Sequence, residues 1–307
     1  MSLTLRAGLL LAASGAVRLA AQEPGPLDPA QLAERVAVYV QDLEEGKAAG
    51  SGDGLKVAAV FAPDAFAYKV AREYLKRRRG GEDHAVAVAG AAGLAQEWKK
   101  HQGMAAVVVK IENSNPRPAG RTVQGVAKRR IYTLEQPLAG QGLSLIGPRE
   151  KPIAVKLAEP PANLRAAQLR VKKFWTTADG QGRRGAYDPD DPSSIGRKPL
   201  LSKPFPGLLL EEKPAEVELL CRALPPRSPR EDGGGAAAMR LVLREWKRYE
   251  GPFEGDQLDL NGGRRWEAIE PIGLDLRVPP GGLETPRAVA QLVAEVRGAA
   301  LPAKKTG

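Results

Sequence analysis

The spacing of apolar positions changes several times along this chain, and each change predicts an element. Leu32, Val36, Tyr39 and Leu43 recur every three or four residues, which gives a helix from about Pro29 to Glu45 one apolar face. Asp28 is placed to cap that helix, with Pro29 at its first position. Gly46 to Gly54 contains four glycines and reads as a flexible link. Leu55 to Phe61 is then a short, mainly apolar run suited to a strand covered on both faces. Pro63-Asp64 opens a second helix, in which Phe66, Val70 and Tyr74 align and which Gly80-Gly81 stops. His84 to Ala89 is a second apolar run, Leu94 and Trp98 mark another helix, and Ala105 to Ile111 is a third run centred on Val107-Val108-Val109.

Strands alternating with helices at these lengths predict a βαβαβ unit with parallel strands and right-handed crossovers. The expected fold is therefore α/β plus β-rich: an N-terminal helix and Rossmann-like domain over residues 23–118, then a β-rich domain over 119–281. Within the latter, Arg130 to Leu134, Pro152 to Leu157, Gln168 to Thr176, Gln257 to Leu260, Arg264 to Ile269 and Ile272 to Val278 are the expected strands. Residues 282–307 form a C-terminal helix and tail, with Val289, Leu292, Val293 and Val296 on one face. Over about sixty residues the alternation resembles that of periplasmic ligand-binding proteins and small periplasmic regulatory domains, without a diagnostic motif.

In such a sheet the carboxyl ends of the strands emerge on one edge, where ligands bind. Phe61 to Asp64, Gly90 to Gly93 and Glu112 to Asn115 should then converge. The candidate binding residues are Phe61, Asp64, Gly90, Asn113 and Asn115. Small residues at Ala62 and Gly90 leave room for close approach, while Asp64 and Asn115 offer polar groups. Asp64 has a competing role at the start of its own helix.

The first 22 residues carry a different pattern. Arg6 is followed by the uncharged stretch Ala7 to Val17 and then by Leu19-Ala20-Ala21. That is the order of a secretory signal peptide, and the apolar stretch is too short to span a bilayer as a helix. The expected location is periplasmic or secreted after cleavage, with no transmembrane segment in the mature chain. The single cysteine, Cys221, excludes an intramolecular disulfide and a cysteine-rich zinc site. It lies in a strand-like run, where a free cysteine behaves as a small buried hydrophobe.

The formal charge is +10, which favours anionic polymer surfaces as partners. Nucleic acid is the least accessible of these to an exported protein. The basic runs Lys76-Arg77-Arg78-Arg79, Lys128-Arg129-Arg130, Lys172-Lys173 and Arg183-Arg184 are scattered, as solvated faces usually are.

No catalytic motif passes a structural test. Gly180-Gln181-Gly182-Arg183-Arg184-Gly185 spells a dinucleotide-binding string, but prolines at 189 and 192 argue against the helix that must follow it. No cofactor is expected. Asp179, Asp188, Asp190 and Asp191 form a weak calcium candidate without an EF-hand order. His84 and His101 are the only histidines, and neither lies in a metalloprotease or hydrolase motif. The expected function is non-enzymatic: an exported, soluble envelope protein that binds a small ligand or a protein partner. A hydrolase using carboxylates the sequence does not identify, and a basic protein adhering to anionic envelope polymers, are the alternatives.

Overall fold

The computed structural model describes residues 25–116, 122–123, 126–147, 150–166, 170–172, 208–222, 239–254, 257–259, 267–277 and 283–300. The first helix, α1 (Pro29–Glu45), starts where its cap requires. Asp28 accepts from the backbone N–H groups of Ala30 and Gln31, and Leu32, Val36, Tyr39, Val40 and Leu43 are buried. The glycine-rich stretch after it is not a link but strand β1 (Ala48–Gly52), paired antiparallel with β2 (Leu55–Ala62). Asp53 and Gly54 turn the chain with φ of 51° and 84°, the two positive values that a type I′ hairpin demands. A Cβ on Gly54 would lie 2.5 Å from a guanidinium nitrogen of Arg130 and 2.6 Å from the Tyr132 hydroxyl, so the turn is fitted against the neighbouring sheet.

Helix α2 (Ala65–Arg79) follows, with Asp64 as N-cap. The run from His84, expected to be the middle strand of a parallel unit, is helix α3 (His84–Ala91), capped by Asp83, which accepts from Val86 N–H. Its alanines favour helix, and an apolar run this short does not separate a helix from a strand by period alone. A 3₁₀ turn (Ala92–Glu97) and the short α4 (Trp98–His101) return the chain to β3 (Met104–Asn113).

With no strand between them, β2 and β3 lie side by side and antiparallel, Ala62 opposite Ala106 and Leu55 opposite Asn113. The parallel Rossmann-like arrangement is thereby overturned. The helices form a long excursion that leaves from the end of β2 and comes back beside it. Next in the sheet are the strands Ala215–Arg222 and Val155–Leu157, both antiparallel, giving an order of β1, β2, β3, 215–222, 155–157. One sheet thus takes strands from both of the ranges read as separate domains.

The reason these strands are almost continuously apolar is that both faces are covered. Leu55, Val57, Ala59 and Phe61, with Val107, Val109, Ile111, Val217 and Leu219, point into a core shared with two further sheets. Val60, Ala62, Ala106 and Leu220 point the other way, against α1, α2, α3 and the last helix, α5 (Arg287–Ala299). Burial on both faces was read correctly from the sequence. Parallel strands did not follow from it, because an antiparallel sheet sandwiched between helices and other sheets shows the same pattern.

In the second sheet, Val126–Leu134 pairs antiparallel with Trp246–Glu254 and with Leu208–Leu210. In the third, Met239–Leu243 pairs antiparallel with Leu143–Ile146 and Ile272–Leu276. Among the described strand pairs only Arg170–Lys172 with Gln257–Asp259 runs parallel.

Candidate functional site

Antiparallel pairing scatters the residues that a parallel unit would have gathered. Phe61 and Asn113 lie at opposite ends of adjoining strands, since Phe61 sits opposite Val107 and Asn113 opposite Leu55. The two ends are about 20 Å apart at ~3.3 Å per residue. Phe61 is buried in the core between the sheets. Asp64 accepts from Ala67 N–H at 2.9 Å and from the Thr285 hydroxyl at 3.0 Å, so both of its oxygens serve packing.

Gly90 lies on α3, where the Arg77 guanidinium crosses so closely that a Cβ would collide with it. The Asn113 side chain donates to the carbonyls of Arg130 (2.7 Å) and Glu211 (2.9 Å), pinning the end of β3 to the second sheet and to the segment before the Ala215–Arg222 strand. Asn115 is exposed, its N–H directed to Asn113 Oδ1 at 3.3 Å. None of the five lines the cleft described below. Asp179, Asp188, Asp190 and Asp191, and the Gly180 to Gly185 string, lie outside the described residues. Among the described residues no cluster of His, Cys, Asp and Glu is arranged to hold a metal.

What the fold does assemble is a cleft on the helix side of the first sheet. Three rows of side chains cross that face. Ala62, Ala106 and Leu220 form a buried row under the helices. The next row is Val60, Val108 and Glu218, and the third is Ala58, Lys110 and Glu216. Toward the third row the helices cover less of the sheet and charge replaces hydrocarbon. The resulting cleft, about 610 Å³, is bounded by Val40 and Glu44 of α1, by Tyr68, Lys69, Arg72 and Lys76 of α2, and by Val108, Glu159, Glu216 and Glu218. Its size falls within the range of small-molecule pockets.

Opposite charges face each other across it. Lys69 Nζ lies 2.7 Å from Glu97 and 2.7 Å from Glu159, and Arg72 reaches Glu216 at 3.2 Å while passing over the Tyr68 ring at 5.6 Å. Burial works against the charge on Lys69, but the hydrogen bonds to Glu159 and Glu97 outweigh it and raise its pKa. The same bond from Lys69 holds Glu159 below the ordinary carboxylate value. Burial raises the Tyr68 phenol, so it stays protonated and able to donate.

The cysteine and the two histidines are not part of the cleft lining. Cys221 is in the inter-sheet core, where burial pushes its thiol up to about 11. His84 joins helices, with Nδ1 3.0 Å from the Tyr74 hydroxyl and Nε2 3.0 Å from Glu295. His101 is fully enclosed behind Glu218. Of the cleft carboxylates, the Glu159 and Glu216 side chains are each 56% exposed and that of Glu218 is 22% exposed.

Only part of the basic runs lies among the described residues, and Lys173, Arg183 and Arg184 fall outside them. Arg77 and Arg78 are bound by Glu73 and Glu82 at the end of α2, while Arg130 pairs with Glu250 in the second sheet.

Little in the amino-acid order forewarns of the cleft. The one signal is Glu216 and Glu218 on alternate positions of a strand whose other side chains, up to the exposed terminal Arg222, are buried, marking a sheet face that leaves the core. Comparison with known proteins adds no likeness: no protein family, curated protein or solved structure matches the chain.

Proposed function

We propose that this chain is an exported, non-enzymatic binding protein, and that its ligand occupies the cleft between α2 and the Ala215–Arg222 strand. The observation that carries the reading is a cavity of about 610 Å³ lined both by the cations Lys69 and Arg72 and by the carboxylates Glu159, Glu216 and Glu218, with Lys69 bonded to Glu159 and Arg72 to Glu216. Walls of opposite sign suit a small ligand, or a segment of a partner, bearing both a carboxylate and an ammonium group. Arg72 offers a planar fork to the carboxylate, and Glu216 and Glu218 accept from the ammonium. Val40, Leu75 and Val108 supply apolar floor for the rest. Export rests on Arg6, the uncharged stretch from Ala7 and the small residues at Ala20 and Ala21. Among the described residues no helix is long and apolar enough to cross a membrane.

The test is a thermal-shift and calorimetric screen of free amino acids and short peptides at low salt. A ligand at a hundred times its Kd adds about 2.7 kcal/mol to folded-state stability. Binding should be lost in Arg72→Ala and Glu216→Ala and weakened by salt. A ligand that binds unchanged in both variants would place the site elsewhere. Appearance of the chain in the cytoplasmic fraction with Met1 intact would end the export reading.

A further inference from the structure

We propose that His101 is a proton-binding site, and that the proton it takes up between Glu97 and Glu218 sets the charge which the Ala215–Arg222 strand presents to the cleft. The chemical argument is one of mismatched acceptors. The His101 ring has no exposed surface. Its Nδ1 lies 3.0 Å from the backbone carbonyl of Glu97. A carbonyl oxygen can only accept, so Nδ1 must carry a hydrogen.

A neutral imidazole with its hydrogen on Nδ1 has a lone pair on Nε2. That atom makes no hydrogen bond among the described residues and lies 3.6 Å from Glu218 Oε1. Two acceptors then face each other, and the enclosed Nε2 has no water to turn to, which is costly. A proton on Nε2 turns the same geometry into an ion pair.

The surrounding charges favour that proton. Glu97 Oε2 is 3.9 Å from Nδ1 and Glu218 is at the other nitrogen, so two carboxylates flank the ring. Lys69, from α2, opposes them, but it is already engaged with Glu97 and Glu159. Of the two lysines on α4, Lys100 is turned toward the Ala158 carbonyl and Lys99 is exposed. The contact with Glu218 raises the His101 pKa above the ordinary 6.5, against the cost of burial and with help from the Glu97 carbonyl.

The consequence for binding rests on the reading of the cleft given above. Glu218 lines that cleft. When His101 is protonated, Glu218 is neutralised from behind and attracts an ammonium group less. When the proton leaves, the carboxylate is available to the ligand. Proton and cationic ligand therefore compete, each weakening the other by the same factor.

The experiment needs no ligand. The chain contains two histidines, so imidazole resonances of the full-length protein can be followed by NMR through a pH titration, with glutamate carboxylates labelled in parallel. One ring should titrate above 6.5 and hold its neutral-form hydrogen on Nδ1, and one glutamate carboxylate should shift with the same midpoint. In Glu218→Gln that histidine midpoint should fall, the coupled carboxylate signal should vanish and the other ring should be unaffected. Two rings titrating at the ordinary value, a neutral form with its hydrogen on Nε2, or a midpoint indifferent to Glu218→Gln would each overturn the proposal. The wild-type tautomer and midpoint decide the matter even if the variant does not fold. A cleft that binds amino acids beside a His101 of ordinary midpoint would refute the proton site and leave the binding reading intact. A raised, Glu218-dependent midpoint in a protein that binds none of them would do the reverse.

Discussion

The hydroxyl of Thr285 donates to the carboxylate of Asp64 at 3.0 Å, although the two are 221 positions apart in the chain. The other Asp64 oxygen caps α2. One side chain thus fixes the start of α2 and ties it to the segment that leads into α5. Asp64→Ala should cost about 1–2 kcal/mol through the lost cap alone, with a further loss from the freed hydroxyl. Urea denaturation would measure it, and binding in the cleft should be unchanged. A variant with wild-type stability and impaired binding would return Asp64 to the list of binding residues.

Val107 and Val108 are neighbours with opposite fates. Val107 has no exposed surface and faces the inter-sheet core, while Val108 is partly buried and lines the cleft. Val107→Asp should prevent soluble folding, because an unpaired buried charge costs several kcal/mol out of a total stability of about 5–15. Val108→Asp should fold with a smaller loss and alter binding. Soluble yield and denaturation midpoints of the two variants check the register of β3 directly.

The His101 contacts predict a pH dependence of definite sign. A folded-state pKa raised above 6.5 means that the native protein holds the proton more tightly than the unfolded chain does. The stabilisation is fully present below pH 6.5 and is lost as pH rises through the raised folded value. His101→Gln should therefore flatten the stability profile across that window. Glu159, lowered by Lys69, contributes in the opposite sense: its share is present above the ordinary 4.5 and disappears as pH falls. Thermal unfolding of wild type and His101→Gln across acid to mildly alkaline buffers separates the two. A wild-type profile that His101→Gln leaves unaltered would refute the assignment.

Cys221 should be inert while the protein is folded. It is 1% exposed and its thiol is pushed up to about 11, so little thiolate forms near neutral pH. A thiol reagent should react with less than one equivalent over hours in native buffer and with one on unfolding. Rapid native labelling would show that the inter-sheet core opens readily.

Much of the local structure was legible in the sequence because its causes are local. The Asp28-Pro29 start and the three-four spacing of Leu32, Val36, Tyr39 and Leu43 give α1 its range, and the same logic locates α2 and most of α5. Leu55 to Phe61 and Ala105 to Ile111 were recognisable as strands with two covered faces. The hairpin at Asp53-Gly54 was also written there, in a dipeptide that specifies a type I′ turn, and was obscured by the glycines around it.

The run from His84 was ambiguous on principle. Alternating Ala and Val over so few residues fits a strand or a buried helix, and only the Asp83 cap, realised in three dimensions, decides between them.

Strand direction, sheet order and the cleft were settled by tertiary structure alone. Whether β2 and β3 run parallel depends on where the intervening helices deliver the chain, and no property of either strand records that. The cleft joins Arg72 to Glu216 and His101 to Glu218 across separations of more than a hundred residues. Each of these side chains is unremarkable in its own segment. Helix caps and the apolar spacing of an element follow from its sequence neighbours, whereas a site built from distant elements exists only once packing has brought their charged faces together.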